Sequence, residues 1–175
     1  MNLYILRHAS AGISRKNPVI DVKRPLDKEG KAQCLLVADY LNALHVQFDL
    51  VVSSPLKRAL QTASLVGTEV GYDAKIQVTD VLLPTASVAN FLQFVSHLSL
   101  YENVLVVGHN PNLPQFLGAI ACSSGRLNVR MRKCSLARVD YSRRPGQLLW
   151  LLDPRNLRQY YSSVAKSSRR KTSRK

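Results

Sequence analysis

The sequence predicts a single-domain α/β sandwich of three layers with a mostly parallel sheet. Apolar segments of strand length alternate with segments whose apolar residues recur at helical spacing, which is the order typical of α/β domains. The 175 residues match one ordinary domain, and a hydrophobic content of 46% is enough for a packed core. Residues 103–107 (NVLVV) form the apolar run expected of a parallel strand that is buried on both faces.

Six strands are predicted, the last two of which form a hairpin. They cover residues 2–6, 48–53, 75–78, 103–107, 135–141 and 147–152. The segment between the last two contains Pro145-Gly146, a turn signal that favours a hairpin.

The helices are predicted from capping residues and from apolar spacing. They begin at Asp27, Ser54, Ser87 and Asn110, and a short one is expected near residues 156–161. Ser54 and Asn110 each precede a proline, so a capping side chain would come before a proline at the first helical position. Residues 9–24 have no clear period and contain glycine, serine and asparagine, and we expect a loop there.

The charge is concentrated at the C-terminus but is not confined to it. The formal net charge is +14, and residues 166–175 (KSSRRKTSRK) contain no acidic and no apolar residue. We therefore expect a folded domain over residues 1–161 and a basic, disordered tail over residues 162–175. Basic residues outnumber acidic ones in the domain as well, which favours anionic partners.

Cysteine usage and hydropathy exclude several protein classes. Cys34, Cys122 and Cys134 are far apart, which argues against both a disulfide framework and a zinc site. No apolar run approaches the roughly 18 residues that a membrane span needs, and the apolar start is too short for a signal peptide. We expect a cytoplasmic protein with no membrane partner.

Three predicted strands end on side chains that suit an anion. Arg7-His8 follows the first strand, Ser53-Ser54 ends the second, and His109 follows the fourth. Arg58 falls in the first turn of the helix after the second strand, where free backbone N–H groups already favour negative charge. Ligands of open α/β sheets bind at this carboxyl edge, and arginine matches phosphate oxygens. Phosphate is therefore the predicted ligand.

The same three segments contain no acidic residue that could hold magnesium or calcium. Metal-free phosphoryl transfer needs a nucleophile from the protein, and histidine can form such a covalent intermediate. The imidazole pKa lies near neutrality, so the neutral ring is available as a nucleophile. We expect neither a metal ion nor a cofactor.

These residues lie within motifs that resemble the histidine phosphatase superfamily. The motifs are LRHA at 6–9, SSPLKRALQTA at 53–63 and VVGHNP at 106–111. RPLD at 24–27 and WLLDPRNL at 150–157 resemble markers of its small SixA-type branch, the protein phosphohistidine phosphatases. The resemblance implies a phosphoglycerate mutase-like fold over residues 1–161 and a phosphatase activity without a metal.

The resemblance also implies a role for each matching residue. His8 would be the phosphorylated nucleophile, and Arg7, Arg58 and His109 would bind the transferring phosphoryl group. Arg24 matches the branch marker, and it would either bind phosphate or pair with an acidic residue near the mouth of the site.

The sequence departs from the superfamily pattern at two points. Ala9 stands where a glycine is usual, and a small residue is tolerated there in this branch. Larger members supply a carboxylic general acid between the second and third motifs, where this chain has only Asp80. General acid catalysis contributes about 10²–10⁴-fold, so a leaving group that needs no enzyme acid is favoured. Phosphohistidine is such a group, because its P–N bond is labile.

Three functions follow from these observations. The first is a phosphatase for phosphohistidine proteins such as phosphotransfer domains in signal transduction, acting as a monomer. The second is a phosphatase for small phosphate esters. The third is a basic module that binds nucleic acid, which is disfavoured because no aromatic stacking motif is present.

Overall fold

A six-stranded mixed sheet forms the centre of the protein, with helices on both faces. The computed structural model describes residues 1–14 and 16–172, with side chains described as far as residue 163. The strands are β1 (Asn2–Arg7), β2 (Leu50–Ser53), β3 (Gln77–Val78), β4 (Asn103–Gly108), β5 (Leu136–Asp140) and β6 (Gln147–Leu152). The helices are α1 (Pro18–Val22), α2 (Lys28–Ala43), α3 (Lys57–Glu69), α4 (Val88–Ser96), α5 (Asn112–Ala121) and α6 (Pro154–Thr172), and a 3-10 turn covers Asp80–Leu82.

The strand order brings three strand ends side by side. The order is β3-β2-β4-β1-β5-β6, and the first four strands are parallel while β5 and β6 form the antiparallel hairpin. Arg7 of β1 lies opposite Gly108 of β4, and Ser53 of β2 lies opposite Val107. The next residue of each strand therefore emerges at the same edge of the sheet.

Two apolar layers cover the sheet and confirm the predicted three-layer sandwich. Tyr4 and Leu6 point to the layer that contains buried residues of α2 and α3. Leu3 and Ile5 alternate with them and point to the layer that contains α4 and α5. Because β1 is buried on both faces, its central residues are all apolar, as parallel strands require.

Three predicted helix starts differ in accuracy. Asp27 caps α2 as predicted, since its Oδ1 accepts a hydrogen bond from the Gly30 amide at 2.7 Å. The Ser54 prediction is wrong, because α3 begins only at Lys57. The Ser54 hydroxyl accepts a hydrogen bond from the Leu56 amide at 3.4 Å and also contacts His109. The Asn110 prediction is also wrong, because α5 begins after it and its amide nitrogen donates to the Met131 carbonyl at 3.0 Å.

The loop prediction for residues 9–24 misses a short helix. Asn17 Oδ1 accepts a hydrogen bond from the Val19 amide at 3.0 Å, and Pro18 occupies the first turn of α1. None of the helical residues is buried, so no apolar periodicity marks this helix in the sequence. The capping residue followed by proline was the available signal.

The C-terminal helix crosses the predicted domain boundary. Asp153 Oδ1 accepts a hydrogen bond from the Arg155 amide at 3.0 Å, and α6 then continues from Pro154 to Thr172. The short helix expected at 156–161 is therefore longer than predicted, and the division at residue 161 falls inside it. Residues 173–175 lie outside the described residues, and the expected disorder of the tail stays a prediction. Neither α6 nor any other described helix is long and apolar enough to cross a membrane.

The close approach of α2 to the loop after β1 gives a test of the packing. A Cβ added at Gly30 would collide with the main-chain carbonyl oxygen of Ser10, two residues after His8. We expect Gly30→Ala to lower the free energy of unfolding by about 1–3 kcal/mol, the usual cost of overpacking. Urea unfolding of both proteins measures this difference.

Gly12→Ala is the matched control, because no heavy atom lies within 4 Å of a Cβ built there. Its free energy of unfolding is expected to stay within about 0.5 kcal/mol of the wild type. Equal unfolding free energies for the two variants would show that α2 does not press on Ser10.

Candidate active site

Two histidines face each other at the carboxyl edge of the sheet. His8 follows β1 and His109 follows β4, and their ring centroids are 4.9 Å apart. The main chain fixes this pair, because the His8 amide donates to the Gly108 carbonyl at 3.0 Å. His8 is 7% exposed and His109 is 2% exposed, so both rings are largely removed from water.

The hydrogen bond of His8 defines its tautomer. Nδ1 lies 2.8 Å from the main-chain carbonyl oxygen of Ala9. A carbonyl can only accept, so Nδ1 carries the proton, and in a neutral ring Nε2 keeps its lone pair. His8 therefore presents an unprotonated nitrogen on the side of the ring away from the Ala9 carbonyl.

His109 is held by Ser54, which the sequence placed at this edge of the sheet without predicting this contact. Its Nε2 lies 2.9 Å from the Ser54 hydroxyl oxygen, and Ser54 is fully buried at the end of β2. The Ser54 amide donates to the Val107 carbonyl at 3.0 Å, so the sheet itself positions this contact. His109 Nδ1 is buried and has no hydrogen-bond partner among the described residues.

The two predicted arginines approach from different elements. Arg7 is the last residue of β1, and its Nη1 donates to the Met131 carbonyl at 2.9 Å. Arg58 lies in the first turn of α3 and is 6% exposed. The Nε atoms of both guanidinium groups are buried and have no hydrogen-bond partner among the described residues. Since an unpaired buried donor is costly, both groups fit a ligand rich in acceptor oxygens.

Asp21, which the sequence analysis missed, connects Arg24 to Arg58. Its carboxylate oxygens accept from Arg24 Nε at 2.8 Å and from Arg58 Nη1 at 3.2 Å. Arg24 also donates to the Gly12 carbonyl at 2.8 Å. Of the two roles that the sequence left open for Arg24, the structure shows the pairing with an acidic residue. Asp21 was missed because it lies on α1, in the segment expected to be a loop.

Burial and positive charge keep both imidazoles neutral. Burial is the largest cause that lowers the pKa of His8 to about 3, and Arg58, Arg7 and Arg24 lower it further, whereas the Ala9 carbonyl opposes them. Burial likewise lowers the pKa of His109 to about 2, with further contributions from His8 and the same arginines. Burial also lowers the pKa of Arg7 and of Arg58. At neutral pH the site therefore combines neutral histidines with charged arginines.

Asp80, an acidic residue between the second and third motifs, lies in the 3-10 turn after β3. Asp80 is exposed in the 3-10 turn, and among the described residues its carboxylate makes no hydrogen bond or ion pair with either histidine or either arginine. Within the same part of the chain, no three His, Cys, Asp or Glu side chains form a group that could hold a metal ion. The arrangement suits nucleophilic attack on a polyanionic group bound by arginines.

The lowered pKa values can be measured directly. In the ligand-free protein, the ring resonances of His8 and His109 should keep their neutral positions from about pH 8 to about pH 5, below the ordinary histidine pKa of about 6.5. Protonation is expected only in more acidic solution, because burial disfavours the charged ring. NMR titration of histidine-labelled protein, assigned with His8→Asn and His109→Asn, tests this. A midpoint near pH 6.5 for either ring would contradict the description of the site.

Sequence comparisons place the chain in a known family. The profile of the histidine phosphatase superfamily (branch 1) matches residues 3–82. An uncharacterized protein of Picosynechococcus sp. is 32% identical over 139 residues, which cover 78% of this chain and 82% of the relative. The phosphohistidine phosphatase SixA of Escherichia coli is 28% identical over 162 residues, which cover 90% of this chain and 97% of SixA.

Solved structures share the fold over nearly the same range. The protein histidine phosphatase SixA complexed with tungstate has a TM-score of 0.80 and 26% identity, covering 90% of this chain and 99% of that chain. The alpha-ribazole phosphatase from Shigella flexneri has a TM-score of 0.67 and 18% identity, with coverages of 88% and 97%, and shows the fold alone. The predicted fold and the predicted family are confirmed, and the chain is a phosphatase that belongs to the histidine phosphatase superfamily.

Proposed function

We propose that the protein hydrolyses phosphohistidine on a phosphorelay-type protein through a phosphorylated His8. The observation that carries the proposal is the neutral, buried His8 ring, whose Nδ1 is fixed by the Ala9 carbonyl and whose Nε2 is unprotonated. Arg7 and Arg58 beside it offer guanidinium donors to the phosphoryl oxygens. A cytoplasmic setting is part of the same proposal.

In the first step, the His8 Nε2 lone pair attacks phosphorus. A new N–P bond forms while the P–N bond of the substrate breaks, and its electron pair passes to the substrate imidazole. That ring carries a proton on its other nitrogen, so it leaves as neutral imidazole without an enzyme acid. Arg7 and Arg58 bind the charge that develops on the equatorial oxygens, which is the main requirement of phosphoryl transfer.

In the second step, water attacks the phosphorus atom on His8. The P–N bond to Nε2 breaks, His8 leaves as a neutral imidazole with its Nδ1 proton retained, and the water protons remain on the released phosphate. If the Ser54 hydroxyl donates to His109 Nε2, the His109 Nδ1–H is available to the phosphoryl group as a further donor. His109 is then a neutral donor in both steps.

The position of the acidic residues favours phosphohistidine over phosphate esters. An ester oxygen leaves as an alkoxide and benefits from a general acid by about 10²–10⁴-fold. Asp21 is paired with two arginines, and Asp80 is exposed and makes no bond to the site residues described above. The likeness to SixA, named as a phosphohistidine phosphatase, supports the same substrate class.

A substrate panel tests the proposal. We expect kcat/KM for a phosphorylated histidine-containing phosphotransfer domain to exceed that for sugar phosphates and other small phosphate esters by at least about 100-fold. The reason is that an alkoxide leaving group needs a proton donor, which the described site residues do not supply. The rates should be the same in EDTA and in magnesium. Each substrate is assayed with wild type and with the His8→Ala variant, which controls for contaminating phosphatases.

An equal kcat/KM for any small ester would favour the alternative, a small-ester phosphatase. The alpha-ribazole phosphatase neighbour shows that this fold accommodates such an activity in another protein. Activity that disappears in EDTA and returns with magnesium would overturn the mechanism.

A further inference from the structure

The outer side of α1 and the loop before it expose apolar side chains. Ile13, Val19, Ile20 and Val22 are 80%, 68%, 54% and 44% exposed, and we call these four residues the α1 patch. Single exposed apolar residues are common on protein surfaces, whereas a cluster of them marks an interaction site. These four residues lie within ten positions of the chain, and all of them are exposed to solvent. Such a cluster is a candidate interaction site.

The α1 patch lies next to the phosphoryl-binding arginines. Asp21 stands between Ile20 and Val22 in the chain, and its carboxylate reaches Arg58 Nη1 at 3.2 Å. The α1 backbone also takes part, because the Asp21 carbonyl accepts from Arg58 Nη1 at 3.1 Å. One side of this short helix therefore contacts the active site while its apolar side chains face solvent.

The loop that carries Ile13 is tied to the same helix. The Ser14 hydroxyl donates to Asp21 Oδ1 at 3.3 Å, and the Gly12 carbonyl accepts from Arg24 Nη1 at 2.8 Å. Both neighbours of Ile13 are thus bound to residues of the α1 segment. The four apolar side chains therefore belong to a single structural unit.

Positive charge surrounds the α1 patch. Lys16 and Lys23 are exposed within the same segment, and Lys57 is exposed at the start of α3 beside Arg58. Lys133 is exposed as well, and its Nζ lies 3.4 Å from the hydroxyl of Ser10, two residues after His8. A complementary partner therefore has an apolar surface bordered by acidic side chains.

We propose that the α1 patch is the docking surface for the protein that carries the phosphohistidine. The partner is an acidic protein whose own apolar surface adjoins its phosphorylated imidazole. The inference rests on the proposed function and extends it, because it says which surface distinguishes a phosphoprotein from a small substrate. A small molecule bound at His8 cannot reach side chains that point away from the site, whereas a folded protein contacts both.

The double variant Val19→Ser/Ile20→Ser tests the docking surface. Its kcat/KM is measured with two substrates. One is a phosphorylated histidine-containing phosphotransfer domain, and the other is free phosphohistidine, which has the same leaving group. We expect a loss of at least about tenfold for the protein substrate, mainly through KM, since two apolar contacts of a docking surface are removed. The rate with free phosphohistidine should be unchanged, because neither side chain contacts the site.

Leu100→Ser is the matched control. Leu100 is 93% exposed and precedes β4, so it lies at the amino end of the strands, away from the site. Its kcat/KM should match the wild type with both substrates. All variants are first compared by circular dichroism, and none of the replaced side chains is buried.

Several results would overturn the docking surface. Equal losses for the double variant with both substrates would assign α1 to the positioning of the site, and unchanged rates with both would show that the patch is not used. Wild-type sedimentation with phosphatidylserine vesicles that is lost in the double variant would assign the patch to a membrane. A wild-type dimer that is lost in the double variant would assign it to a second copy. A wild type that is inactive on the phosphoprotein but active on small esters would instead reject the proposed function itself.

Discussion

Two neutral imidazoles buried beside charged guanidinium groups are the feature on which the rest of this structure depends. Burial disfavours a charged ring, and the nearby arginines disfavour it further, so His8 and His109 stay neutral where an exposed histidine would titrate. The arginines cannot lose their charge in the same way, and they need an anion instead. A phosphoryl group satisfies the arginines and at the same time meets the unprotonated nitrogen of His8.

The fold supplies this arrangement through its main chain. The register that pairs Arg7 with Gly108 also places His8 next to His109, and the main-chain carbonyls of Ala9 and Met131 fix the His8 tautomer and the Arg7 guanidinium. These contacts belong to the backbone of the sheet and of its loops, so the site is held by the same bonds that hold the fold. Asp21 adds a carboxylate that partly balances the arginine charge.

The sequence predicted the parts of the site that are local and missed those that depend on tertiary contacts. Strand ends can be read from apolar runs, so His8 and His109 were placed at one edge of a parallel sheet. Arg58 was placed in the first turn of the next helix, although the predicted start of that helix at Ser54 is too early. The Ser54 hydroxyl was assigned to a helix cap because its preference for His109 appears only when β2 and β4 lie side by side. Helix α1 has no buried residue and hence no apolar period, which hid both Asp21 and the α1 patch.

Trapping the phosphoenzyme shows whether His8 itself becomes phosphorylated. The protein is mixed with a ³²P-labelled phosphohistidine donor, denatured in base within milliseconds and mapped by peptide sequencing. We expect a base-stable, acid-labile label on His8 that is absent from the His8→Ala variant. A label on Ser53 or Ser54, or turnover by the His8→Ala variant at the wild-type rate, would contradict it.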